Sequence, residues 1–186
     1  PGDEVITTPF TFVSTAEVIA LLGLKPVFVD VAPEHFTMSP ELLEEARTEK
    51  TLAVIPVHLF GQCAHMDPIL EWAFDHDIAV IEDNAQAIGS DYIHEDGSQT
   101  KAGTMGQLGT TSFFPSKNLG CFGDGGAMFT RDEDLAAKLK RITNHGSSEK
   151  YKHTEVGVNS RLDAIRAAEL SVKLNYLEDY NRARRE

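Results

Sequence analysis

The sequence lacks any long uninterrupted run of apolar residues. Its most hydrophobic stretches, residues 52–57 and 78–81, are far shorter than the roughly 18 residues that mark a membrane-spanning helix. We therefore expect a soluble protein that does not cross a membrane.

Cysteine is also scarce, because only Cys63 and Cys121 are present and they lie far apart in the chain. Two isolated cysteines form no Cys-x-x-Cys motif and cannot provide the disulfide framework of a small secreted domain. This usage is typical of a reducing compartment and predicts a cytoplasmic protein.

Basic residues are few relative to acidic ones. The 17 lysines and arginines face 29 aspartates and glutamates, so the formal net charge is -12, and no basic block occurs. Nonspecific affinity for nucleic acid comes mainly from neutralising phosphates with basic side chains. The charge balance therefore argues against a DNA-binding or RNA-binding protein.

What the 186 residues do contain is a regular alternation of short β-branched or apolar runs and helical patterns. These runs lie at residues 5–8, 26–31, 52–57, 78–81, 110–114 and 127–130. Several are continuous rather than alternating, which is typical of strands covered on both faces. The pattern predicts an α/β fold in which a mostly parallel sheet lies between two helical layers.

Local signals place some boundaries. Ser14 and Glu17 have the spacing of a capping box at the start of the first helix. The polar stretch 89–103 contains a turn signal and predicts a surface hairpin. The chain starts without methionine and stops inside a helical pattern, so we expect one large domain over residues 1–186 that is incomplete at both ends.

Polar residues that directly follow the predicted strands are the first candidates for a site, because ligands of open α/β sheets bind at the carboxyl ends of strands. Asp83 could fix a cationic ring nitrogen, although by itself a turn-capping role is the commoner one. Lys117 could form a Schiff base if its amine is partly desolvated, although a solvated loop lysine is the commoner case. The glycine-rich segment 120–126 matches no phosphate-loop pattern.

Taken together, seven motifs in the same order resemble the DegT/DnrJ/EryC1/StrS family of sugar aminotransferases. They are residues 1–6, 9–12, 26–30, 82–87, 112–120, 123–127 and 157–162. The resemblance covers essentially the whole chain. It implies the large domain of an aspartate-aminotransferase-like fold (fold type I) that uses pyridoxal 5'-phosphate (PLP).

The resemblance also implies roles for individual residues. Lys117 is similar to the lysine that forms the Schiff base with PLP and shuttles a proton during catalysis. Asp83 resembles the carboxylate that keeps the pyridine nitrogen protonated, so that the ring remains an electron sink. Gln86 resembles the residue beside the ring, close to its phenolic oxygen.

Three further cofactor contacts are implied in the same way. Phe12 resembles the aromatic residue that stacks on the cofactor, whereas by itself it would be an ordinary core residue. Ser112 resembles the hydroxyl that binds the cofactor phosphate. Asn159 resembles the amide that reaches the phosphate from the neighbouring subunit, which implies a homodimer with a shared active site.

The family resemblance implies transfer of an amino group from glutamate to a keto nucleotide sugar, for amino sugars of surface polysaccharide or glycosylated metabolites, with a slight preference for a 3-keto sugar. Lys117 argues against the dehydrating branch of the family, in which histidine replaces the lysine. Two alternatives remain open, namely a PLP-dependent sugar dehydratase or lyase and a non-catalytic regulatory α/β module.

Two other residues have structural roles in this interpretation. His58 ends a strand near the predicted site, and we expect it to be a hydrogen-bonded structural histidine. Arg161 could meet a phosphate or carboxylate of the substrate, but a salt bridge to Asp163 or Glu169 is at least as good an expectation. No histidines have the spacing of metal ligands.

Overall fold

The computed structural model describes residues 2–186. Its strands are β1 Glu4–Thr7, β2 Lys25–Phe28, β3 Thr51–Ile55, β4 Ala79–Asp83, β5 Asp91–Ile93, β6 Gln99–Lys101, β7 Leu108–Ser112, β8 Gly126–Phe129, β9 Ser147–Glu149 and β10 Lys152–His153. Its α-helices are α1 Ser14–Leu21, α2 Leu43–Ala46, α3 Met66–Asp75, α4 Glu133–Ile142, α5 Ala164–Lys173 and α6 Leu177–Arg185. Short 3-10 helices cover Pro40–Leu42, Leu59–Gly61 and Leu174–Tyr176.

Six strands form the central sheet in the order β2-β1-β3-β4-β7-β8. All neighbours are parallel except β7 and β8, which pair antiparallel. Parallel neighbours need crossover connections, and α1, α2 and α3 provide them between the first four strands. The prediction of a mostly parallel α/β sheet is confirmed.

Helices pack on both faces of this sheet. Ile6 and Val54 are fully buried on the face that packs with Ile69 of α3. The neighbouring strand residue Ile55 points to the opposite face, where it packs with Ile19 of α1. Because successive strand side chains alternate between faces, the continuous apolar runs serve two cores at once, and the three-layer prediction is confirmed.

A third apolar cluster joins the last helices to the glycine-rich loop. Phe113, Leu119 and Cys121 pack against Leu170 of α5 and Leu177 of α6. All five side chains are buried. This packing places α5 and α6 directly behind the loop that contains Lys117. No helix within residues 2–186 has both the length and the apolar character needed to cross a bilayer.

The predicted hairpin is present as β5 and β6, which pair antiparallel across residues 91–101. The capping box is absent, because Val13 is the N-cap residue of α1 and no side chain caps that helix end. The amide of Glu17 is satisfied by the Val13 carbonyl at 2.9 Å. Ser14 is instead the first helical residue.

Candidate active site

A cavity of about 440 Å³ lies at the carboxyl ends of β4 and β7. The cavity is lined by five of the six site residues predicted from the sequence, namely Phe12, Asp83, Gln86, Ser112 and Lys117. They come from segments more than 100 residues apart, and the parallel sheet brings them together. This is the edge at which open α/β sheets bind ligands.

Asp83 is the last residue of β4, and its carboxylate is held from two sides. Oδ2 accepts a hydrogen bond from the Thr15 hydroxyl at 2.7 Å, and Oδ1 accepts one from the Ala85 amide at 3.1 Å. Thr15 is buried in the first turn of α1 and also contacts the Thr11 hydroxyl at 3.0 Å. The carboxylate is therefore fixed in direction while it lines the cavity. Sequence reasoning missed Thr15, because no local pattern marks a contact across 68 residues.

The residue before it, Glu82, points away from the cavity and is fully buried. Oε2 accepts from His58 Nε2 at 2.8 Å and from the Gly103 amide at 2.7 Å. Oε1 accepts from the amides of Met105 at 2.6 Å and Gly106 at 2.7 Å. Burial alone would raise the pKa of Glu82, but the hydrogen bonds from His58 and the backbone outweigh it, so the pKa lies below its usual value.

His58 is a hydrogen-bonded structural residue, as expected from the sequence. Its ring is fully buried, and Nδ1 accepts from the Ala64 amide at 3.1 Å. Because Nδ1 is an acceptor, the ring proton sits on Nε2 and points at Glu82. The pair fixes the backbone beneath the end of β4, and so supports the position of Asp83.

Gln86 lies on a wall shared by two cavities. It lines the cavity described above and a second one of about 550 Å³. Its Oε1 accepts from the Phe60 amide at 2.9 Å, which fixes the orientation of the side-chain amide. Phe60 has a φ of 55°, which is uncommon for a non-glycine residue and indicates a constrained backbone at this wall.

Lys117 lies in the irregular segment after β7, and its side chain is half-buried. Its amide donates to the Phe114 carbonyl at 2.9 Å, and the Ser112 hydroxyl accepts from the Phe114 amide at 3.2 Å. Within residues 2–186 the Lys117 amine makes neither an ion pair nor a hydrogen bond. An amine without an internal partner at a cavity wall is available for bonding to a ligand.

Phe12 is not the ordinary core residue that its sequence context alone predicts. Its ring is 69% exposed and lies at the cavity wall. An exposed aromatic ring beside polar groups is typical of a surface on which a planar ligand can stack. The family resemblance, rather than hydrophobic pattern, was the signal that identified this position.

Asn159 does not line the cavity of its own chain. It is exposed, and its Oδ1 accepts from Arg161 Nε at 2.8 Å. The expected salt bridge of Arg161 to Asp163 or Glu169 is wrong, because Asp163 pairs with Arg166 at 3.2 Å. Glu169 has a different partner on its own helix.

That partner is Lys173, and both residues bind the glycine-rich loop from α5. Glu169 and Lys173 are 2.7 Å apart, Glu169 accepts from the Phe122 amide at 2.7 Å, and Lys173 donates to the Gly120 carbonyl at 2.6 Å. Partial desolvation alone would raise the pKa of Glu169, but Lys173 and the Phe122 amide lower it overall. A Cβ at Gly120 would lie 2.3 Å from the Pro115 carbonyl oxygen, so this close approach requires glycine.

Residues 2–186 contain no group of three or more His, Cys, Asp and Glu side chains that could hold a metal ion. Burial raises the pKa of the Cys63 thiol to about 11, and the carboxylates of Glu82 and Asp91 add to the shift. Cys121 is buried and donates to the Gly123 carbonyl at 3.2 Å. Neither thiol is arranged as a nucleophile.

The chain is similar in sequence to known proteins. The sequence model of the DegT/DnrJ/EryC1/StrS aminotransferase family matches residues 1–186. The chain is 50% identical over 179 residues to a UDP-2-acetamido-2-deoxy-3-oxo-D-glucuronate aminotransferase of Pseudomonas aeruginosa, covering 96% of this chain and 48% of that protein. It is 52% identical over 185 residues to a protein of Geobacillus stearothermophilus named pleiotropic regulatory protein, covering 100% of this chain and 48% of that one.

Solved structures agree with the fold. DesV of S. venezuelae, in complex with a ketimine intermediate, matches with a TM-score of 0.89 at 43% identity over 96% of this chain and 47% of that chain. A Bacillus subtilis protein, NtdA, with bound cofactor PMP, matches with a TM-score of 0.85 at 34% identity over 95% and 39% of the two chains. The chain thus spans about half the length of the curated relatives it matches.

Proposed function

Because the chain belongs to the DegT/DnrJ/EryC1/StrS aminotransferase family, we propose that the protein is a PLP-dependent enzyme that transfers an amino group from glutamate to a keto nucleotide sugar. The observation that supports this most is the cavity itself, whose lining includes Lys117, Asp83 and Gln86. Each of these residues has a side chain that suits one part of PLP.

The lining of the cavity fits PLP in size and in chemistry. A volume of about 440 Å³ is in the usual range for small-molecule sites. Lys117 offers an amine that can form a Schiff base with the cofactor aldehyde, and Ser112 offers a hydroxyl for the phosphate. The exposed ring of Phe12 offers a stacking surface for the pyridine.

When bound, PLP supplies the electron sink that stabilises negative charge on the reacting carbon. Asp83 would hold a proton on the pyridine nitrogen, because a fixed carboxylate favours the charged form of a nearby nitrogen. Thr15 keeps the carboxylate in one orientation while this occurs. The Lys117 amine would accept a proton from the substrate carbon and return it, as a general base and then a general acid.

We further propose that residues 1–186 are part of a larger PLP-binding domain and that the protein works as a cytoplasmic homodimer. The relatives are about twice as long as the chain, which supports the first point. The exposed position of Asn159, outside its own cavity, supports a role at the site of a second subunit. Crosslinking of the full-length protein at Asn159 would test this arrangement.

The keto group is proposed to be at C3 of the sugar. The Pseudomonas aeruginosa relative, at 50% identity, carries a 3-oxo sugar in its name. A panel of 3-keto and 4-keto nucleotide sugars, assayed with glutamate in the full-length protein, tests this choice. We expect a new amine and one 2-oxoglutarate per turnover, with the 3-keto sugars preferred.

The matched variants for this assay are Lys117→Ala and Lys138→Ala. Lys117 lines the cavity, whereas Lys138 is exposed on α4 and remote from it. We expect Lys117→Ala to abolish amine formation and Lys138→Ala to retain it. Full amine formation by Lys117→Ala would contradict the proposal.

Two alternatives can be distinguished by product and by partner. A dehydratase or lyase would give a deoxygenated sugar without a new amine. The name of the Geobacillus stearothermophilus relative favours a regulatory role as the second candidate. The net charge of -12 argues against DNA as the partner of such a regulator, and tight, salt-sensitive DNA binding by the full-length protein would reverse this ranking.

A further inference from the structure

The backbone around Lys117 has few hydrogen bonds within its own loop. Residues 115–119 form neither helix nor strand, and the Lys117 amide bonds only to Phe114, three residues earlier. The lysine amine lies at the end of a flexible four-carbon side chain, so movement of the backbone would displace the amine by several ångströms. The position of the amine must therefore be set by contacts from outside the loop.

Helix α6 supplies such contacts through Arg184. Its Nη2 donates to the Ser116 carbonyl at 2.9 Å and lies 3.4 Å from the Lys117 carbonyl, which it also contacts. Both contacts cross more than 60 residues of sequence. They hold the carbonyl of the lysine itself and that of its immediate neighbour.

Asn181 adds a second pair of contacts one helical turn earlier. Its Oδ1 accepts from the Asn118 side-chain amide at 2.6 Å, and its Nδ2 donates to the Ile88 carbonyl at 3.0 Å. The side chain is only 4% exposed. Residues three apart lie on the same helix face, so Asn181 and Arg184 act on the loop together.

The Ile88 contact is important because Ile88 follows Gln86 by two residues. Helix α6 therefore binds both the loop with Lys117 and the loop with Gln86. The fit is close, since a Cβ at Gly89 would lie 2.8 Å from Asn181 Nδ2. One helix thus makes hydrogen bonds to the two loops that carry Lys117 and Gln86.

We propose that Asn181 and Arg184 form an α6 clamp that positions the Lys117 amine relative to Gln86 and Asp83. This inference rests on the proposed function, in which the amine must meet the cofactor aldehyde. The clamp residues are positioning residues, because they act through the backbone of the loop. Misplacement of a reacting group by about 1 Å can slow a reaction about 100-fold.

The test measures the attachment of PLP to Lys117 in the full-length apoprotein. The amine forms an imine with the PLP aldehyde and one water is released, and borohydride then reduces the imine to a stable secondary amine. Peptide mass spectrometry at successive times gives the rate of attachment at Lys117. The control variant is Arg182→Ala, because Arg182 pairs with Asp179 on the exposed side of α6.

We expect Arg184→Ala to slow attachment by about 10- to 100-fold. Arg184→Lys should recover part of the rate, since one ammonium can donate to one of the two carbonyls. Arg182→Ala should stay within about twofold of the wild type. In steady-state assays, the kcat of Arg184→Ala should fall in parallel with attachment, whereas the KM for glutamate should change little.

Asn181→Leu tests the other half of the clamp, because it retains a side chain of similar size and loses both the acceptor for Asn118 and the donor to Ile88. It should slow attachment to a lesser degree than Arg184→Ala. Equal attachment rates in Arg184→Ala and Arg182→Ala would contradict the clamp and leave the proposed function unaffected. A slowing fully explained by a loss of folded protein, measured by circular dichroism, would also overturn the clamp. Failure of the wild type to attach PLP at Lys117 would instead overturn the proposed function and the clamp with it.

Discussion

The conversion of Glu82 to glutamine is expected to destabilise the protein strongly although it hardly changes the side-chain volume. A carboxylate can accept four hydrogen bonds, whereas an amide has one accepting oxygen and one donating nitrogen. If the amide oxygen keeps the bonds from Met105 and Gly106, the NH₂ group faces the amide of Gly103 and the Nε2 proton of His58. If the glutamine amide is flipped, its NH₂ group instead faces the amides of Met105 and Gly106.

The magnitude follows from these contacts. Each hydrogen bond to a charged group contributes about 1.5–3 kcal/mol, and breaking a buried charged pair costs about 3–5 kcal/mol, so the loss of two bonds at this fully buried site should cost about 3–5 kcal/mol. For a chain of this size the thermal midpoint should fall by about 6–20 °C. Urea unfolding followed by circular dichroism measures the change in free energy, and the exposed residue Glu71 provides a control as Glu71→Gln.

The pH dependence gives an independent check of the same reasoning. The folded-state pKa of Glu82 lies below its usual value of 4.5, so its contribution to stability is present above that value. It is lost as the pH falls through the lowered pKa. The difference in the free energy of unfolding between the wild type and Glu82→Gln should therefore be largest near neutral pH and become smaller in acid. A loss below about 1 kcal/mol at neutral pH would refute the role assigned to the carboxylate.

Three further outcomes are expected. Asp83→Asn should keep the fold, since the amide oxygen can accept from the Ala85 amide and the amide nitrogen can donate to the Thr15 hydroxyl, which can act as an acceptor, while amino transfer falls about 100-fold or more because the charge is lost. Gly120→Ala should cost about 3 kcal/mol or more in urea unfolding, because its Cβ would meet the Pro115 carbonyl, whereas Gly97→Ala, in open space, should cost only about 1 kcal/mol. Cys63, with a pKa of about 11, should react with iodoacetamide at pH 7.5 about 300-fold more slowly than an ordinary thiol.

Much of the fold could be predicted from hydrophobic pattern. Short β-branched or apolar runs identified every strand of the central sheet, and the polar stretch identified the hairpin of β5 and β6. The capping box failed because α1 has Val13 as its N-cap and the Glu17 amide bonds to the Val13 carbonyl instead of the Ser14 hydroxyl. The contact of Thr15 with Asp83 at the same helix end could not be predicted from local spacing, since the two residues are 68 residues apart.

The residues of the candidate site likewise divide into those that strand position predicts and those that it does not. Asp83 ends β4 and Lys117 follows β7, and the topology of parallel sheets explains why such residues meet at one edge. Phe12 and Ser112 were found by family resemblance, because no residue pattern separates them from ordinary strand and loop residues. Arg184 gave no signal at all, since it lies in a row of exposed arginines and its partners are backbone carbonyls.

The central claim is that PLP is bound covalently through Lys117 in this cavity. The most direct measurement is titration of the full-length protein with PLP, followed by borohydride reduction and mapping of the labelled peptide. The account predicts a visible absorption band that borohydride removes, with the label on Lys117 and no such band in Lys117→Ala. Absence of the band in the wild type, or a label on another lysine, would contradict the account.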